Sequence, residues 1–160
     1  MRMQETVELP VSSATALREL TDIHAHDLAK IVLAATSSGE ALVESTGLAR
    51  LDEASQCHYG AQLGHPVSNA SVTVLPLRWW NDKARSLTPG FIGELQVRLV
   101  NDEVSELRIQ GEYYPRAHLY ELVDRALLSR MAKAVVAHFL DQLADTVLGA
   151  LLIRPAQAAS

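Results

Sequence analysis

The stretch ELQVRLVNDEVSELRIQGEY, residues 94 to 113, constrains the fold more than any other part of this chain. Two runs of strict alternation flank the tripeptide Asn101, Asp102, Glu103. Successive side chains on a strand point to opposite faces. Phe91, Leu95, Val97 and Leu99 therefore share one side of the first run, and Glu94, Gln96 and Arg98 the other. In the second run Leu107, Ile109, Gly111 and Tyr113 stand against Glu106, Arg108, Gln110 and Glu112. The segment between them is short enough for a hairpin turn. The pair predicts an antiparallel hairpin with one dry and one wet face, the latter stitched by opposite charges from Glu94 to Arg98 and from Glu106 to Arg108. A dry face of this extent has to be covered, either by a solid core or by a cavity that holds a ligand.

The cover is written after residue 116, where the period changes from two to 3.6. From Leu119 the apolar positions run through Leu122, Val123, Ala126, Leu127, Met131, Ala134, Val135, Phe139, Leu143 and Val147. Glu121, Asp124, Arg125, Lys133, Asp141 and Asp145 mark the opposite face, so the helix is amphipathic rather than membrane-spanning. A helix of about 30 residues is about 45 Å long. It must lie along the sheet, project from it, or kink.

Upstream, residues 4 to 11 alternate as a strand with Val7, Leu9 and Val11 on one side, and Pro10 marks an edge or an end. Ser12 or Ser13 then caps a helix carrying Ala14, Leu17 and Leu20. A second helix follows, with Asp27 near its start and Gly39 past its end, and Leu28, Ile31, Val32 and Ala35 as its apolar stripe. Residues 40 to 70 are the least readable, though Cys57, Tyr59, Ala61 and Leu63 fit one face of a strand. HPVSN supplies turn chemistry. ASVTVLPLRWW is rich in strand formers, with Pro76 calling for an edge position or a bulge. NDKARSLTPG, residues 81 to 90, reads as a loop.

The order is strand, two short helices, antiparallel strands, one long helix. That predicts a two-layer α+β domain, spanning residues 1–153, with 154–160 as a flexible tail. In VLPLRWW, GELQVRL, ELRIQGEYYP and the helix from 122 to 144, with VELPVSSATALREL at the front, the chain resembles the START-like, Bet v 1-like superfamily, also called SRPBCC or polyketide cyclase/dehydrase-like. The likeness is closest to small actinobacterial-type members of unassigned function. The resemblance covers about residues 70 to 145 and implies the helix-grip fold, a curved antiparallel sheet wrapped around the C-terminal helix with an apolar cavity between them. It implies binding of a lipid, polyketide or similar hydrophobic molecule, and in a minority of members cyclisation or dehydration. Where relatives often carry Pro and Gly after the last strand, this chain has PRAHLY.

Several function classes recede on composition. Net charge is −5, which gives no global basic field for nucleic acid. Cys57 is the single cysteine, so no internal disulfide forms, and the N-terminal residues lack the apolar core of a signal peptide. A cytoplasmic location is the expectation. Neither a phosphate loop, a zinc pattern nor a nucleophile elbow occurs, and no cofactor is expected.

The candidate ligand-binding residues are Trp79, Phe91, Leu95, Val97, Ile109, Tyr113, Met131, Val135, His138 and Phe139. Their ordinary reading is a filled core; the sharper one makes them a pocket wall with a few polar groups. If the chain is an enzyme, the groups to test are His138, Tyr113, Arg78 and Arg130, with a histidine facing an apolar cavity as the natural acid–base group. No metal site is expected. His24 and His26 diverge on a helix and lack a third ligand, and Cys57 beside His58 has no orienting partner. Three functions compete: a carrier or sensor of a hydrophobic small molecule, a cyclase or dehydratase, and a partner-binding protein with a filled core. A homodimer is left open.

Overall fold

A computed structural model describes the backbone of residues 1–47, 58–83 and 86–158, and the side chains of these except at 83, 86–89 and 154–158. The hairpin is formed by β5 (Ser86–Leu99) and β6 (Ser105–Tyr113) in the register that the alternation requires. Leu95 sits opposite Ile109, Val97 opposite Leu107 and Phe91 opposite Tyr113. Asn101 shapes the turn: its Oδ1 accepts from the N–H groups of Glu103 and Val104, both at 2.9 Å. On the wet face Arg98 pairs with Glu106 at 3.2 Å. Glu94 is held by Gln96 and Gln110, at 2.7 and 2.6 Å, rather than by Arg98.

The other strands extend this hairpin into one curved antiparallel sheet. β1 (Arg2–Leu9) pairs with β6, and β4 (Val72–Lys83) with β5. β2 (Tyr59–Leu63) and β3 (Val67–Asn69) share the far side of β4, giving the order β1-β6-β5-β4-β2 with β3 beside β2. The expected loop over 81–90 is instead the end of a long hairpin. Strand pairing continues through Asn81 opposite Thr88 to Lys83 opposite Ser86. Nor does Pro76 disturb the alternation, because Leu75, Leu77 and Trp79 all stay on the inner face. It sits where the partner of β4 changes from β2 to β3, and the connecting Gly64 donates its N–H to the Pro76 carbonyl at 2.7 Å. A missing ladder donor does least harm at such a place. The one register shift falls between Trp79 and Trp80, where β5 carries the extra residue Gly90.

Three helices besides a single turn cover the inner face. α1 (Ser13–Thr21) is capped by Ser12, whose Oγ accepts from the Thr15 N–H. α2 (Ala25–Glu44) is 20 residues long and runs past Gly39. The expectation that Gly39 ends this helix is corrected by its packing. A Cβ at Gly39 would lie 2.2 Å from Cγ2 of Val135 and 3.2 Å from the Met131 carbonyl oxygen. The glycine is there because two helices touch, not because one stops. The long helix also begins later than expected. Leu119–Leu122 form a separate turn, α3, and Val123 is extended at φ −134 and ψ 140. Asp124 then caps α4 (Arg125–Ala158), its Oδ1 accepting from the Leu127 N–H at 2.8 Å. The helical backbone of α4 continues to Ala158, through the residues expected to form a tail.

α4 packs against α2 and β1. Met131, Val135, Phe139 and Leu143 are fully buried along its inner stripe, each such side chain worth about 1.5–3 kcal/mol of burial. Arg125–Ile153 is long and apolar enough to cross a membrane by length and composition alone. One third of its most apolar 18-residue window is buried within the fold, and Leu152 and Ile153 at its end are exposed.

Candidate functional site

Among the described residues, apolar side chains pack closely over the inner face of the sheet. Trp79 and Phe91 stack with ring centroids 4.5 Å apart, and Phe139 of α4 leans on Trp79 at 4.7 Å. Phe91, Leu95, Ile109, Met131, Val135 and Phe139 are all at 0% exposure, so no water-sized space touches them from outside or within. Trp79, Val97 and Tyr113 are nearly as enclosed. The ten residues expected around a ligand are thus brought together, except His138, which lies half-buried on the flank of α4. The four polar candidates do not converge. Tyr113 faces inward, whereas Arg130 is exposed on α4. Arg78 is on the outer face, bonded to Gln62 through Nε and Nη2 and lying 5.4 Å from the Trp80 ring. His24, His26 and His58 are exposed, and Cys57 lies outside the described residues. Among the described residues no three His, Cys, Asp or Glu side chains gather as a metal would need.

A polar cluster that the sequence reading missed lies beside Tyr113. Past β6 the chain turns at Tyr114, whose N–H donates to the Gly90 carbonyl at 2.8 Å, and Pro115 is buried. Arg116 is thereby aimed at α2. Its Nε donates to Glu40 Oε1 at 2.7 Å and its Nη2 to Oε2 at 2.8 Å. The Glu40 side chain is 5% exposed and that of Arg116 14%. This is a fork-on-fork ion pair, the strongest geometry of its kind, taken into a place where desolvation opposes it. Burial pushes the Glu40 carboxyl above its ordinary range; Arg116 pulls it back only part of the way, and Glu44 one turn on adds to the rise. The Tyr113 phenol is likewise held well above its ordinary range, first by burial and then by Tyr59 and Glu40. Tyr59 and Asn81 oppose each other across β2 and β4. The Tyr59 hydroxyl is buried, and Asn81 Oδ1 is buried with no hydrogen-bond partner among the described residues.

The same helix borders a second feature at its other end. Between the α1–α2 junction and the β2–β3 connection lies a pocket of about 320 Å³. Leu20, Leu28 and Leu75 form its floor, and Ile23 and Leu63 its walls. Thr21, Gln62 and His65 stand at the exposed rim. None of the described lining residues is Asp, Glu, Lys or Arg. A larger hollow of about 650 Å³ lies on the outer face over Gly93 and Gly111. It is lined by Arg2, Gln4, Glu94, Gln110 and Glu112; Glu94 accepts from Gln96 and Gln110, and Glu112 from Tyr114.

No family model matches this chain, and no curated protein does either. Two solved structures are similar in shape. One is a conserved protein from Geobacillus kaustophilus, 12% identical, with a TM-score of 0.52 over 93% of this chain and 96% of that one. The other is a protein from Thermus thermophilus, 13% identical, with a TM-score of 0.45 over 94% and 99%. The first supports the fold over 93% of this chain: an antiparallel sheet with a long C-terminal helix.

Proposed function

We propose that this chain is a START-like, Bet v 1-like domain that binds an apolar small molecule. The observation that carries the reading is the pocket beside the start of α2. It is concave, floored by leucines and rimmed by a few hydrogen-bonding side chains, as small-molecule sites are. Leu75, at 0% exposure, ties its floor to the buried core. Binding without chemistry requires no more than this. The test is a thermal-shift screen of apolar compounds, repeated with Ile23→Trp, which fills the pocket from a half-exposed wall. A compound that raises the melting temperature of the native chain and not of the variant supports the reading. A panel with no effect on either protein counts against it.

A second reading is favoured by the cluster at the other end of α2. Buried ionisable groups that converge, here Glu40, Arg116 and Tyr113, are what a cyclase or dehydratase would need. In that case Glu40, not His138, Arg78 or Arg130, is the proton-handling group. Turnover of a bound compound that is lost in Glu40→Gln, with binding retained, would favour this reading over the first.

A further inference from the structure

We infer that the pocket between α1–α2 and β2–β3 selects an uncharged molecule of about ten non-hydrogen atoms, and excludes long-chain lipids and polycyclic compounds. This rests on the binding reading above and narrows it. The size follows from the volume. At the roughly 30 Å³ that one water takes up in the liquid, about 320 Å³ admits a single ring or a short alkyl chain. The floor does not yield a longer channel. Leu75 is at 0% exposure, Leu20 at 1% and Leu28 at 2%, and behind them the core is closed. A chain of lipid length would have to leave the pocket for water or displace that core.

The charge follows from what surrounds the site. Among the described residues no lysine or arginine lines the pocket to receive a carboxylate or phosphate. Asp22 follows α1 and Asp27 lies in the first turn of α2, where it opposes the positive end of that helix dipole, and Lys30 is within 3.6 Å of Asp27. The chain as a whole is at −5. An anionic head would lose hydration and meet no lysine or arginine among the described lining residues, only the N-terminus of α2, whose field Asp27 opposes. A hydroxyl or carbonyl at the rim can instead meet Thr21, Gln62 or His65. A cation would find the aspartates but only water-exposed ones, with little net gain.

The test is a titration of isotope-labelled protein with phenol, octan-1-ol, octanoate and palmitate, followed through backbone amide shifts. Phenol and octan-1-ol are expected to shift the amides of Ile23, Leu63 and Gly64 saturably. Octanoate should bind there at least tenfold more weakly than octan-1-ol, and palmitate should give no saturable shift at those amides. Ile23→Trp and Leu63→Trp, with unchanged circular dichroism, should each weaken octan-1-ol binding at least tenfold. Octanoate binding as tightly as octan-1-ol, or palmitate saturating the same amides, overturns the inference. Palmitate binding elsewhere, untouched by either tryptophan, agrees with the inference, which concerns this pocket alone. Failure of all four probes removes both the inference and the binding reading.

Discussion

At the scale of single residues, Glu40 and Arg116 show how burial sets the worth of an ion pair. Their exposure differs, 5% against 14%, and so does the cost of losing each partner. An unpaired Arg116 can turn its guanidinium to water. An unpaired Glu40 cannot. Arg116→Met is therefore expected to cost about 3 kcal/mol at neutral pH, as broken buried pairs do, and Glu40→Gln less than about 1 kcal/mol. Because the Glu40 carboxyl is raised above its unfolded value by burial, its favourable contribution is complete below the unfolded value. That contribution is lost as pH rises through the folded one. Chemical denaturation across pH checks the sign. The stability of the native chain relative to Glu40→Gln should fall as pH rises from the acid side, and the Arg116→Met deficit should shrink on acidification. A native chain that gains on Glu40→Gln as pH rises would contradict this account. Neither residue was readable in advance. Arg116 sits in a turn whose direction no periodicity encodes, and Glu40 was lost with the misplaced end of α2.

At the scale of elements, that misplacement has one cause. Glycine ends helices often enough that Gly39 reads as a stop. Yet Leu28, Val32, Ala35, Gly39 and Val43 continue one stripe, and all are buried. A small residue in a stripe also marks the place where two helices approach closely. The register of the β5–β6 hairpin was readable over residues 94–113 because alternation and turn chemistry agreed there, although Leu99, expected on the dry face, is exposed and Glu94 does not pair with Arg98. β4 was harder: Pro76 suggested a bulge that the structure puts three residues later. The contact of α2 with α4 is testable. Gly39→Ala places a methyl 2.2 Å from Val135 Cγ2 and should cost about 1–3 kcal/mol by overpacking. Val135→Ala in the same chain should recover part of that loss, so that the double variant is more stable than the sum of the two single effects predicts. Simple additivity in a double-mutant cycle would show that the two helices do not meet there.

At the scale of the whole molecule, the chain is a sheet gripping a helix, with α2 as a second helix along the open side. Periodicity supplied the two layers and much of the core, although Leu122 and Ala126 of the expected stripe are exposed while Leu128, Val136 and Leu140 beside it are buried. What it could not supply was the remaining space. Whether apolar side chains fill a concavity depends on their volumes and rotamers in three dimensions, and here Trp79, Phe91 and Phe139 fill it. The binding reading then moves from the middle of the grip to its end, where Leu20, Leu28 and Leu75 leave a pocket and where the sequence between residues 40 and 70 was least regular. The measurement that tests this most directly is native mass spectrometry of the protein from its own host, followed by denaturing extraction of whatever it carries. The account predicts one small uncharged compound per chain, retained by the native protein and absent from Ile23→Trp and Leu63→Trp. A long-chain lipid, or a compound carried equally by both variants, would contradict it.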